Sequence, residues 1–388
     1  MYICAMSKAK PSTHQILADH SMAKVRVFKH YLGIYLHILG RAGIDRVHLY
    51  DLMCGEGEYA DGRQGSALEG LHQVLQYFTN QPTESLKVRY VLNDAGMSEV
   101  ETGRRKIDRV REKADQLPFG PVANGRLQVD YLALPCAEAM TKAIVRVQQL
   151  APHREKALLF IDPWGYKDIR TADLRAALAS GHSEVLLFLP TEMMYRFADK
   201  AYHEDFDGGQ ALKDWLTELF PEALPVFTNV HDFIRQFRNR LRAMLEVQYS
   251  SHFTLETANR NTYSLFYFTS NRTGLLKMLE SQWKEDPGAG TGHRADQNLT
   301  LSLFRPGVLA NYPARVENYL TAAPSRTNED LLEFGLGEGF LPKHTAEVLK
   351  TLTATGRLNT WEPGCPKLRK NAFYLTDPTR NIRFALTP

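Results

Sequence analysis

Two short runs, Ala157-Leu-Leu-Phe-Ile161 and Glu184-Val-Leu-Leu-Phe-Leu189, constrain this chain more than any other feature. A strand that is apolar on both faces must be covered on both faces. Such coverage belongs to a parallel sheet flanked by helices, not to a sandwich with one wet side. Three further runs read the same way: Val47-His-Leu-Tyr-Asp51, Lys87-Val-Arg-Tyr-Val-Leu92 and Arg126-Leu-Gln-Val-Asp-Tyr-Leu132. Between them the period changes. Val25, Phe28, Leu32, Tyr35, Leu36 and Leu39 recur at spacings of three and four across 20–41, and Leu68, Leu71, Val74 and Leu75 do so after Ser66. Helices are also expected over 98–117 and 136–150. Strands alternating with helices predict an α/β chain.

The pattern then shifts. Residues 197–245 read as a helical insertion, and Phe253–Thr257 with Thr262–Phe268 read as a hairpin around 258–261, followed by a helix over 274–285. Five parallel strands, an insertion and a closing hairpin match a Rossmann-like seven-stranded methyltransferase sheet, expected to occupy 1–285. A glycine-rich linker is expected over 286–311. Beyond it, helices at Arg315–Leu320, Asn328–Phe334 and Lys343–Ala354, with strands at Arg357–Trp361 and Ala372–Leu375, predict a winged-helix domain over 312–388.

Asp51-Leu-Met-Cys-Gly55-Glu-Gly57 falls at a strand-to-helix turn, where glycines let a ligand approach the backbone closely. A dinucleotide fingerprint would carry a third glycine and an acid about 20 residues on. Here the third glycine is missing and the next strand-end acid is Asp94. S-adenosylmethionine has no pyrophosphate and does not need that glycine. Asp51 is placed to hold its methionine end, Asp94 to accept from its ribose hydroxyls, and Gly55 and Gly57 to line it. The plain alternative is a turn with a surface acid.

Asp162-Pro163-Trp164-Gly165-Tyr166 ends the fourth strand, at the edge where open α/β sheets place ligands. A carboxylate beside a base-ring amine can localise its lone pair while an aromatic face holds the ring. Asp162, Pro163 and Trp164 are therefore the catalytic candidates, with Tyr59 and Tyr166 as pocket walls. Amino-methyltransferases usually show Asp-Pro-Pro-aromatic; here one proline is absent. The alternative is a strand end with a turn proline and a core tryptophan.

Net charge is only +3, but residues 341–388 hold eight lysines and arginines against three acids. Lys343, His344, Lys350, Lys367, Arg369 and Lys370 are candidates for phosphate contacts, as in winged helices that read DNA. A solvated face or a dimerising winged helix is the alternative. Arg235, Arg238, Arg240 and Arg242 form a second basic cluster, which reads as a solvated helix face. Four scattered cysteines form no CxxC pair, and no HExxH spacing occurs, so no metal site is expected. Cys54 reads as a small buried side chain. No run approaches the roughly 18 apolar residues of a membrane span, and the first residues are too short an apolar stretch for a signal peptide. The scattered, unpaired cysteines make a reducing cytoplasm the expected compartment.

The chain resembles the three-Cys-motif partner family (TcmP). The resemblance rests on His48-Leu-Tyr-Asp51-Leu-Met-Cys-Gly55-Glu-Gly57-Glu-Tyr59 with Gly65-Ser66, and on Leu159-Phe-Ile-Asp162-Pro163-Trp164-Gly165-Tyr166. It also rests on Tyr263-Ser-Leu-Phe-Tyr-Phe-Thr269 with Gly274-Leu-Leu-Lys-Met278, and on the winged-helix tail. It implies a Rossmann-type methyltransferase that uses S-adenosylmethionine and has a three-cysteine-motif protein as partner. Asp51, Gly55 and Gly57 carry over as cofactor positions, Asp162 and Pro163 as acceptor positions. Trp164 stands where a phenylalanine is commoner, and Met53-Cys54 where Phe-Ala is. The combined expectation is methyl transfer to an amino group in nucleic acid, DNA favoured. Two alternatives stand beside it: a non-catalytic DNA-binding scaffold for the partner enzyme, and a small-molecule or peptide methyltransferase that forms a homodimer through its winged helix.

Overall fold

The computed structural model describes residues 19–388 except 60, 164, 207, 258, 260, 295–307, 365–367, 370 and 388. The roles expected of Trp164, Lys367 and Lys370, and most of the 286–311 linker, lie outside the described residues. The protein is mixed α/β and forms two compact units, Met1–Ser183 and Glu184–Pro388.

The first unit contains four strands: β1 (Arg46–Asp51), β2 (Lys87–Asn93), β3 (Leu127–Leu132) and β4 (Glu155–Ile161). All pair in parallel, in the order β3-β2-β1-β4. The apolar runs explain this arrangement: Ala157 to Ile161 and Val47 to Asp51 are all buried, as strands covered on both faces must be. Helices α1 (Asp19–Arg41), α2 (Ser66–Asn80), α3 (Lys106–Asp115), α4 (Phe119–Ala123), α5 (Cys136–Gln148) and α6 (Thr171–Leu178) complete the unit. The stripe read on α1 is buried from Val25 to Leu36, with Leu39 half-buried; Phe28 stacks on Phe160 of β4 at 4.7 Å, and the Tyr35 hydroxyl donates to the Ala157 carbonyl at 3.1 Å.

The helix expected over 98–117 begins only at Lys106. Ser98 Oγ accepts from the backbone of Val100 and Glu101 and so competes with a helical start. Gly103, at φ +81, then turns the chain back, so that the Ser98 amide donates to the Arg104 carbonyl.

The second unit opens with β5 (Ser183–Leu189), whose first residue belongs to the first unit. Then come α7 (Thr191–His203), α8 (Gln210–Leu219) and α9 (Val230–Met244), where the helical insertion was expected. The hairpin β6 (Tyr249–Glu256) and β7 (Thr262–Thr269) is antiparallel, β7 runs antiparallel to β5, and α10 (Arg272–Glu285) follows. An eighth strand, β8 (Gly292–Arg294), adds to the seven expected and lies parallel to β6. Asp286 organises the turn before it by accepting from the amides of Gly288, Ala289, Thr291 and Gly292.

The tail runs α11 (Val308–Thr321), β9 (Arg326–Thr327), α12 (Asn328–Gly337), α13 (Pro342–Ala354), β10 (Leu358–Trp361) and β11 (Arg383–Leu386). The three strands form an antiparallel sheet in the order β10-β11-β9. Ala372–Leu375 is not the second strand expected there. Asn371 and Tyr374 take φ of 58° and 48°, which breaks an extended run, while Phe373 and Leu375 are buried as loop residues. The strand is Arg383–Leu386 instead. Among the described residues, no helix is long and apolar enough to cross a membrane.

Candidate functional site

The order β3-β2-β1-β4 reverses direction at β1, so the crevice at the carboxyl ends of β1 and β4 is a topological switch point. Register places acids along it. Asp51 pairs with Leu92 on one side and Phe160 on the other, so Asp94 and Asp162 each lie two residues beyond the rung of Asp51. Asp51, Asp94 and Asp162, each read from the sequence as a strand-end acid, thus lie along one edge.

Asp51 is fully buried. One oxygen accepts from Ser66 Oγ, in the first turn of α2, at 2.6 Å; Oδ1 has no hydrogen-bond partner among the described residues. Burial pushes its carboxyl up to about 7, Asp162 and Asp94 push the same way, and Ser66 and Lys24 oppose them. Asp94 is half-buried and holds the turn together. It accepts from the Gly55 amide at 3.0 Å and the Gly96 amide at 2.7 Å. Gly55 has φ +66, and a Cβ built there would meet nothing within 4 Å. Gly57 has φ +78 and packs tightly, its missing Cβ falling 3.2 Å from Val110 and 3.3 Å from Leu68. One glycine therefore faces open space and the other fits the loop against α2 and α3.

Asp162 is only partly exposed and its Oδ2 is ion-paired with Lys24 of α1, itself almost buried. Sequence reading missed Lys24. Its signal was position, since it lies on the same α1 stripe as Phe28, Tyr31 and Tyr35, where a lysine must find an anion. Pro163 is buried and Gly165 takes φ +145. Tyr166 is buried, which raises its phenol. The Tyr59 phenol is raised by burial first and then by the charges of Asp162, Asp51 and Asp61.

The other acids of the glycine loop point elsewhere. Glu56 is buried, pairs with Arg109 of α3, and accepts from Ser98 Oγ at 2.9 Å and the Glu99 amide at 2.7 Å. Glu58 pairs with Lys113 at 2.7 Å. Asn93 ties two loops by donating to the carbonyls of Leu52 and Leu134 and accepting from the Leu134 amide. Cys54 is buried and its thiol is raised by burial, then by Asp51 and Asp94, which disfavours a thiolate nucleophile.

A cavity of about 540 Å³ opens at the opposite, amino edge, lined by Asp45, Arg46, Lys87, Arg154 and Glu155 among others. Its charges largely neutralise one another, with Arg154 on Asp45 at 2.5 Å and Arg46 within 3.9 Å of Glu155. In the tail, Lys343 and Lys350 are exposed on α13 and Arg369 is exposed in the loop after β10. His344 is not exposed: its ring lies 4.1 Å from that of Trp283 and its Nδ1 accepts from the Leu341 amide. Among the described residues, no group of three or more His, Cys, Asp or Glu side chains could hold a metal ion. No protein-family model matches the chain, and no curated protein matches it in sequence.

Proposed function

We propose that the protein is an S-adenosylmethionine-dependent methyltransferase acting on an amino group in nucleic acid, with DNA the favoured acceptor. One observation carries the reading: three carboxylates aligned by register across the switch point, beside a glycine at positive φ with open space at its Cβ position. The donor set suits the cofactor. Asp51 Oδ1 is a buried acceptor with no partner among the described residues, suited to the ammonium of the methionine end. Asp94 uses one acceptor site on each oxygen for an amide, and an ionised carboxylate has about four, so a ribose diol can still be held. S-adenosylmethionine, when bound, supplies an electrophilic methyl on a sulfonium. The chain's part is positioning: Asp162 accepts from the acceptor amine, Pro163 and Trp164 shape its seat, and Tyr59 and Tyr166 wall it in.

The tail is read as a winged helix because three helices and a three-stranded antiparallel sheet follow one another as helix, strand, helix, helix, strand, strand. On this reading Lys343, Lys350, Lys367, Arg369 and Lys370 meet phosphates. The resemblance noted above adds a three-cysteine-motif protein as partner.

The Lys24–Asp162 ion pair favours a second reading, a protein that binds the cofactor and recruits a partner without turnover, because the acceptor acid already has a cation. Calorimetry with S-adenosylmethionine and S-adenosylhomocysteine, with transfer of labelled methyl to single- and double-stranded DNA, separates the two. Binding of both ligands with label in DNA is the expected result, as is binding at least about tenfold weaker in Asp94→Ala, roughly 1.4 kcal/mol. Binding without label in any nucleic acid favours the second reading. No binding by the intact chain overturns both.

A further inference from the structure

The helix α9 carries four arginines, Arg235, Arg238, Arg240 and Arg242, and one acid, Asp232. Arg235, Arg238 and Arg242 follow at i, i+3 and i+7 and share one face. Phe233, Ile234, Phe237 and Leu241, fully buried, form the adjoining face. This amphipathicity fixes the helix, leaves Arg235 and Arg242 exposed, and sets Arg238 at the boundary, half-buried against His252 of β6.

An ordinary solvated face pairs its cations with acids. Arg238 does not. Its contacts are Asn239 Oδ1, at 2.8 and 3.2 Å, and His252 Nδ1 of β6, at 3.3 Å. His252 is held neutral by burial first and then by Arg238 and His231, so neither contact is an anion. Burial first, and then Arg242 and Arg235, lower the Arg238 guanidinium to about 10. Arg242 donates to the Gln248 carbonyl at 3.0 Å, a neutral group. Asp232 serves Arg235, Gln236 and the Thr228 amide.

We propose that the Arg235–Arg238–Arg242 stripe, with His252 beneath it, binds the phosphodiester backbone of a nucleic acid. The proposal rests on the reading of the acceptor as nucleic acid and assigns it a second contact surface, separate from the tail. Arg238 and Arg242, which meet no acid among the described residues, gain most from an anion, whereas Arg235 already shares Asp232; guanidiniums recognise phosphate through paired N–H donors. The stripe spans about 10 Å of helix, which matches a row of phosphates and exceeds the size of a single phosphate ion.

The test measures anisotropy of a short labelled duplex, and of a single strand, against the full chain at several salt concentrations. Arg235→Gln/Arg242→Gln changes two surface positions, and the triple variant adds Arg238→Gln. Circular dichroism and S-adenosylmethionine calorimetry verify that each variant keeps its fold and cofactor site. Affinity at low salt is expected to fall at least about tenfold in the triple variant, with a salt slope shallower by roughly two to three, since each phosphate contact contributes about 0.9. The double variant should lie between. Wild-type binding that is unchanged in both variants overturns the stripe and leaves the nucleic-acid reading standing. A wild-type chain that binds neither strand form overturns both. Equal loss for inorganic tripolyphosphate and for nucleic acid, with no dependence on nucleic-acid length, overturns the backbone assignment in favour of a small-anion site.

Discussion

Asp51 is the residue whose chemistry is most fully determined by its surroundings. A carboxyl with one donor, no exposure and two neighbouring acids is hard to ionise, which is why it is pushed from 3.8 up to about 7. The consequence for stability has a definite sign. Between pH about 4 and 7 the unfolded chain has released this proton and the native chain keeps it. The stabilising contribution is therefore complete below about 4 and is lost as pH rises through about 7. Asp51→Asn removes the titration, so the variant is expected to be more stable than wild type at pH 8, by on the order of 2–4 kcal/mol, and to lose that advantage at pH 4. Urea midpoints at the two pH values measure the difference. Affinity for a ligand bearing an ammonium should climb with pH up to about 7 in wild type and stay flat in Asp51→Asn. A flat wild-type profile would mean that Asp51 does not meet the cation. At this scale Asp51, Asp94 and Asp162 were legible because each ends an apolar run. Lys24 was not, since its partner is 138 residues away and a single lysine carries no local pattern.

Elements were legible where burial on both faces leaves one pattern and illegible where side chains capture the backbone. The buried cores of β1, β4 and β5 could be nothing else. The 98–105 segment looked helical by composition, yet Ser98 and Gly103 gave its backbone a turn to adopt. Ala372–Leu375 looked like a strand because a packed loop buries the same apolar residues a strand would. The strand ends depend on such side-chain links as well. Asn93 is buried and satisfies three main-chain groups, so Asn93→Ala leaves the Leu52 and Leu134 carbonyls and the Leu134 amide unpaired. Each orphaned group costs about 1–3 kcal/mol before water enters, so a loss of about 2–4 kcal/mol is expected in urea unfolding. Cofactor affinity should fall with it, because Leu52 precedes the glycine loop. Unfolding within about 0.5 kcal/mol of wild type would mean that solvent replaces Asn93 without penalty.

On the scale of the whole chain, the tail that composition sets apart is not independent of the sheet elements before it. Leu275, Leu279 and Trp283 of α10 and Tyr249 of β6 share one buried cluster with Tyr312, Val316, Leu336, Phe340 and Leu349. Trp283 is central to it: Nε1 donates to the Gly339 carbonyl at 2.9 Å, and the ring packs on Phe340 and His344. Polar links run beside it, from Arg272 to Glu329 and Glu333 and from the Tyr249 hydroxyl to Glu333. A glycine-rich stretch suggests a tether in sequence, because no pattern shows which surfaces will pack. A tethered domain and a shared core respond differently to one substitution. Trp283→Ala creates a cavity expected to cost about 3–5 kcal/mol. With a shared core, hydrogen exchange should accelerate together in peptides covering 272–285 and 342–354, because both helices lose the same support. Faster exchange confined to α10, with α13 as protected as in wild type, would make the tail a separately folding body and would return the stretch after α10 to the role of a plain connector.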